Sequence, residues 1–229
     1  MSARPAGGRP ASRLRTDAAR NRAQILSAAR GAFLESGTAV PLEEIARRAG
    51  VNIATLYRRF ANRDALIAAV VIEGFGIALD AARSAAKTAQ ADPIAAVESF
   101  LRSMIDSRHL LVLPLIGGPQ TDDPEARELQ HDIAAALEEI LAEGRRHHAV
   151  RADVTAVDLI ITAALLCRPL PHLPHEQATT LTARHLGVFL DGLRPDRSRT
   201  LPRPPSTEEL ADHLHGGTAA TVEGQARKR

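Results

Sequence analysis

One cysteine, no tryptophan, one tyrosine and five phenylalanines are all that 229 residues hold of those types. The single thiol, Cys167, leaves no internal disulfide to form and fits a reducing compartment. So few aromatics mean a core of Leu, Ile, Val and Ala, for which an apolar share of 45% is ample. Lysine is nearly missing too: Lys87 and Lys228 stand alone among 29 basic residues. With the abundance of alanine, that bias points to GC-rich coding and not to a function. Glu73 and Asp80 interrupt the longest apolar run, so no membrane span of about 18 residues is expected. The first residues carry arginines but no apolar core, which is not the pattern of a secretory signal. A soluble, cytoplasmic protein is the expectation.

Gly-rich phosphate loops, cysteine pairs and a nucleophile elbow are also missing, which weighs against an enzyme. His147, His148 and Asp153 straddle a helix end without regular ligand spacing, so they read as a solvated terminus and not as a metal site. No metal and no cofactor is expected.

What is present is segregated charge. The net charge of +2 hides twelve arginines against five acidic residues in 1–65, and ten basic against seventeen acidic residues in 66–193. A basic head on an acidic body suits a protein that meets phosphate at one end.

Within the head, residues 41–63 read PLEEIARRAGVNIATLYRRFANR. Leu42, Ile45, Ala46 and Ala49 repeat at helical spacing, with Glu43, Glu44, Arg47 and Arg48 on the other face. Gly50 follows where a chain leaving a helix wants positive φ. Val51 is expected as a buried plug and Asn52 as the N-cap of a second helix. In that helix Leu56 and Phe60 face inward, while Ile53, Ala54, Thr55, Tyr57, Arg58 and Arg59 face out. Two short helices with a sharp corner make a helix-turn-helix, whose second helix enters a major groove. Asn62 caps a further helix beginning near Arg63.

This stretch, with RNRAQILSAARGAFLESG (20–37) before it and NRDALIAAV (62–70) after it, resembles the DNA-binding domain of the tetracycline-repressor (TetR/AcrR) family. The resemblance implies an all-α chain: a three-helix DNA-binding domain over 17–62, then a helical ligand-binding and dimerisation domain over 63–193. It implies a dimeric repressor on a palindromic double-stranded operator, released by a small-molecule effector. A ligand-independent regulator or an activator would share the same DNA contacts, and an all-helical enzyme with an incidental basic hairpin is the remote alternative. Arg22 matches a position that faces the DNA backbone, and Arg63 a basic phosphate-contacting one. Asn52, Ile53, Ala54, Thr55, Tyr57, Arg58 and Arg59 complete the DNA-binding set. Either arginine of the pair reads guanine or holds a phosphate; Ile53 and Thr55 suit a thymine methyl. Where the family has Ser or Thr, this chain has Pro41, expected at a first helical position, so one phosphate contact is lost.

The remaining expectations concern the ends and the body. Residues 1–16, with Arg4, Arg9, Arg13 and Arg15 among prolines and glycines, read as a disordered arm, either lying along DNA or inert. Stripes on helices near 63–87, 94–105, 124–148, 155–167 and 175–193 form the body. A pocket is read among Phe75, Phe100, Met104 and Leu137, with His109, Cys167 and Arg168 as polar contributors; plain core is the competing reading. The last two helices suit a four-helix homodimer seam. Residues 194–229, rich in Pro, Ser, Thr and Gly, read as a disordered tail in which 206–209 can start a short helix.

Overall fold

The computed structural model describes residues 10–114, 118–170, 172–195 and 200–209, all helix and irregular chain with no strand among them. The chain falls into two compact units, Met1–Val70 and Val71–Arg229. Their division lies inside a helix, eight residues beyond the boundary expected at 62.

In the first unit, α1 (Pro10–Ser36) packs on α2 (Leu42–Arg48), and α2 on α3 (Ile53–Arg59). The helix begins at Pro10, so residues 10–16 are not the irregular arm expected of them; residues 1–9 lie outside the described ones. Pro10 sets φ for a first turn, and Ala11, Arg13, Leu14 and Arg15 are good helix formers. Ile25, Leu26, Ala29 and Phe33 form the buried stripe of α1, as their spacing predicts. The helix ends at Gly37, whose φ of 75° is open to glycine and whose N–H donates to the Phe33 carbonyl at 3.0 Å. Leu42, Ile45 and Ala46 bury the inner face of α2.

The second unit holds α4 (Arg63–Ala86) from Val71 onward, α5 (Pro93–Asp106), a 3-10 turn (Arg108–Leu110), α6 (Pro124–Arg146), α7 (Ala156–Cys167) and α8 (His175–Gly192). Helices α5, α6 and α7 pack on one another, and α8 packs on α5 and α7. Phe100, Leu101, Leu137, Ile140, Leu141 and Leu159 are almost wholly inaccessible at the centre. Each such side chain contributes roughly 1.5–3 kcal/mol of apolar burial. Local chemistry starts these helices. Asp92 Oδ1 accepts from the Ala95 N–H at 3.0 Å, and Asp123 Oδ1 from that of Glu125 at 2.9 Å. At α7 the Asp158 carboxylate reaches back to the Thr155 N–H at 2.8 Å.

Helix α4 corrects one expectation. By length and composition it is apolar enough to cross a membrane even with Glu73 and Asp80 in it, because the apolar residues around them outweigh two carboxylates over an 18-residue stretch. The core helix of a globular protein has the same composition, and Leu66, Val70, Val71, Phe75, Leu79 and Ala82 are buried.

Part of the tail is folded. The Leu201 N–H donates to Asp153 Oδ2 at 3.3 Å, while Ser206 and Glu209 exchange hydrogen bonds of 2.6 and 3.0 Å at the start of a helical turn. Residues 196–199 and 210–229 lie outside the described ones.

Candidate nucleic-acid interface

The corner between α2 and α3 follows from backbone chemistry. Gly50 has φ of 66°, its N–H donates to the Arg47 carbonyl at 3.2 Å, and that of Val51 to Ala46 at 3.0 Å. This is a Schellman ending, in which a left-handed residue lets its own amide and the next one satisfy the last turn. Val51 is half-buried and not the sealed plug expected, because Gly50 turns the chain before it reaches the centre of the core. Pro41 occupies the N-cap of α2, one place earlier than expected: its ψ of 139° is extended, and its carbonyl accepts from Glu44 and Ile45 at 3.1 and 3.3 Å. It offers no side-chain cap.

Helix α3 is capped by Asn52, whose Oδ1 accepts from the Ala54 N–H at 2.8 Å. Leu56 and Phe60 are buried and hold the helix down. Its outer face presents Ala54, Tyr57, Arg58 and Arg59 as exposed residues, with Ile53 and Thr55 half-buried beside them. Tyr57 is 49% exposed, a large apolar ring left in solvent. Neither Arg58 nor Arg59 makes an ion pair or hydrogen bond among the described residues.

The neighbouring arginines are engaged. Glu44 accepts from Arg47 Nε and Nη2 at 2.8 and 2.7 Å and from Arg48 Nε at 2.8 Å; Arg48 Nη1 also meets Glu35 on α1 at 2.7 Å. Hydrogen bonds from Arg47 and Arg48 hold the Glu44 carboxyl down at about 2. The charge of α2 is therefore spent inside the unit, and that of α3 is left outside. Spacing alone shows Glu44 in reach of both arginines; Glu35, on another helix, leaves no such signal.

Two residues expected at DNA have work in the fold. The guanidinium of Arg22 lies 5.7 Å from the centroid of the Phe60 ring, a cation–π contact, and the residue stays exposed. Arg63 Nη1 donates to the carbonyls of Thr38 and Val40 at 2.7 and 2.5 Å, fastening the α1–α2 loop, so a phosphate would have to be met by Nε or Nη2. Asn62 caps α4, its Oδ1 accepting from the Ala65 N–H at 2.8 Å.

Residues 25–70 match the family described as bacterial regulatory proteins of the tetR family, and residues 92–195 match the SbtR-like transcriptional regulator C-terminal domain. A TetR transcription regulatory protein from Mycobacterium vanbaalenii is 35% identical, over 79% of this chain and 99% of that one, with a TM-score of 0.54. The chain belongs to the TetR family. A regulatory protein of the same family from Rhodococcus RHA1, 17% identical, shares the fold with a TM-score of 0.62 over 77% of this chain and 98% of that one. No curated protein matches the sequence. The chain is thus a TetR-family transcriptional regulator, with an N-terminal helix-turn-helix domain and a helical C-terminal domain.

In the C-terminal domain of this TetR-family chain, Phe75, Phe100, Met104, Leu137 and Cys167 are all buried. The last four sit on α5, α6 and α7, which pack together. Burial pushes the Cys167 thiol up to about 11 against an opposing pull from Arg108, so it stays protonated and behaves as a small apolar group. His109 is exposed on the 3-10 turn, and Arg168 is exposed at the end of α7. Described residues line one cleft of about 500 Å³ beside the tail and another of about 250 Å³ between α7 and α8. Of the residues read as a pocket from the sequence, Arg168 alone lines either.

Proposed function

We propose that this TetR-family regulator is a dimeric repressor that reads a palindromic operator with α3 and is released by a small-molecule effector. The observation that carries this is the outer face of α3. Tyr57, Arg58 and Arg59 are exposed and unspent on a helix that Asn52, Leu56 and Phe60 hold at a fixed angle, beside an α2 whose arginines are paired with Glu44 and Glu35. In this reading Arg58 or Arg59 pairs with guanine O6 and N7 or with a phosphate, and Ile53 and Thr55 meet thymine methyls. Arg22 and the free nitrogens of Arg63 hold phosphates.

Dimerisation is supported by apolar side chains left in solvent on the last two helices. Leu165 on α7 is 62% exposed and Val188 on α8 is 73% exposed, with Leu181 between them in sequence. Two recognition helices related by a twofold axis then call for a palindromic operator, with half-sites about one DNA turn apart or a little more. The effector site is assigned to the buried set Phe75, Phe100, Met104, Leu137 and Cys167, with His109 nearby in sequence. A ligand there releases DNA only by binding one conformation of the dimer better than the other.

A gel-shift titration against the DNA flanking its own gene tests the reading. The expected result is a saturable, sequence-dependent shift at moderate salt that is lost when Tyr57→Ala and Arg58→Ala are combined in a dimer that still folds. A folded double variant that grips its preferred duplex as tightly as the parent would overturn it.

A further inference from the structure

Several arginines of the acidic second unit meet nearby carboxylates. Arg83 meets Asp132 at 2.9 Å and Arg102 meets Glu98 at 2.6 Å; Arg145 meets Glu138, Arg146 meets Glu143, and Arg151 meets Asp153 at 2.6 Å. Arg108 and Arg168 are among those that do not. Neither guanidinium makes a hydrogen bond or an ion pair among the described residues.

Both line the same cleft, of about 250 Å³. Arg108 opens the 3-10 turn after α5, and Arg168 caps the carbonyl end of α7. Leu166, Leu170 and Leu173 supply apolar wall beside them, and Leu170 and Leu173 are left 43% and 38% exposed. From α8 come Ala178 and Thr182, which repeat at four-residue spacing with the buried Leu186 and Leu190. The cleft therefore faces the inner side of α8, whereas Leu181 and Val188 of the proposed dimer seam lie off that row.

A helix end favours a cation beside it, which accounts for one arginine here. It leaves the fork-shaped donors of two guanidinium groups without acceptors. A carboxylate is the group whose two oxygens match that fork, and in a unit with an excess of acidic residues an organic acid needs such a local positive spot. The space suits a chain of several carbons, being smaller than the roughly 300–1,000 Å³ typical of drug-sized sites.

We propose that this cleft binds a small organic acid, with the carboxylate between Arg108 and Arg168 and the apolar chain on Leu166, Leu170 and Leu173. The site borders the buried effector set, whose Cys167 feels the Arg108 charge although no side chain of that set lines the cleft, and the DNA-reading helix does not line it either. It stands or falls independently of operator binding.

Octanoate titrated calorimetrically into the full-length protein tests the site, with 1-octanol as the uncharged counterpart. Saturable binding of one octanoate per chain is expected, weakened at least tenfold by Arg108→Gln or Arg168→Gln and unchanged by Arg184→Gln, an arginine on α8 that does not line the cleft. Circular dichroism on each single variant checks that the fold is intact, and neither guanidinium has a hydrogen bond or ion pair among the described residues to lose. Three results overturn the assignment: no saturable octanoate heat, equal affinity for 1-octanol, or folded variants that bind octanoate as the parent does.

Discussion

Glu44 grips the guanidinium of Arg47 with both carboxylate oxygens, at 2.8 and 2.7 Å, one turn along the same helix. The pairing removes positive charge from α2 and leaves α3 as the basic edge of the helix-turn-helix. Glu44→Gln therefore frees Arg47, while Arg48 keeps its pairing with Glu35. If the unit binds DNA as proposed, the slope of log K against log salt should steepen by about one, the increment for one further phosphate contact. An unchanged slope would show that Arg47 does not face the duplex.

Acid should loosen the protein through the same carboxylate and through Asp153. Both are held at about 2, from ordinary values of 4.5 and 3.8, by hydrogen bonds from arginine partners. A lowered folded pKa means that the unfolded chain binds more protons, so stability rises with pH in that range. The contribution is complete above about pH 4.5 and is lost as pH falls toward 2. Melting curves of the parent should drop across that window, and those of Glu44→Gln with Asp153→Asn should drop less.

Arg63 is expected to matter for folding before it matters for DNA. Its Nη1 holds the carbonyls of Thr38 and Val40, and Arg63→Met leaves both without that donor. A loss of about 1.5–3 kcal/mol in urea unfolding is anticipated, as for other hydrogen bonds made by a charged group. Parent-like stability in Arg63→Met would mean that water replaces the guanidinium without cost.

Gly144 marks the tightest packing at the end of α6. A Cβ there would come within 2.9 Å of Val150 Cβ and 3.4 Å of Pro93 Cβ. Gly144→Ala should cost about 1–3 kcal/mol as overpacking, and Val150→Ala in the same chain should recover part of it. Thermal unfolding of the single and double variants measures both terms.

Four residues further on, His148 takes the left-handed position of a Schellman ending, with φ of 52°. Its N–H donates to the Arg145 carbonyl at 3.1 Å, and that of Ala149 to Gly144 at 2.8 Å. Glycine is the usual occupant there, so His148→Gly should stabilise by roughly 0.5–1 kcal/mol despite its looser unfolded chain. A lower melting temperature would show that the imidazole makes up for the strain.

Much of the helix-turn-helix was legible in sequence because its signals are short-range. The capping by Asn52 and Asn62, the positive φ at Gly50 and the inward Leu56 and Phe60 each depend on residues within about one turn. Failures came where a local rule met a competing one. Pro41 stepped back into the cap because its carbonyl already serves two amides, and residues 10–16 joined α1 because good helix formers follow Pro10. For the body, apolar spacing marked Phe100, Met104 and Leu137 as buried, yet periodicity cannot tell a pocket wall from core.

By itself the sequence determined which segments coil, where they start and stop, and which face of each is apolar, since these are written in intervals of three or four residues. Tertiary structure alone decided that Arg63 fastens Val40, that Arg48 reaches Glu35, that Arg22 covers Phe60 and that Asp153 holds Leu201. It also brought Arg108 and Arg168, sixty residues apart, to one cleft. Such partners lie on different elements, and the directional forces that join them act only after apolar packing has set those elements side by side.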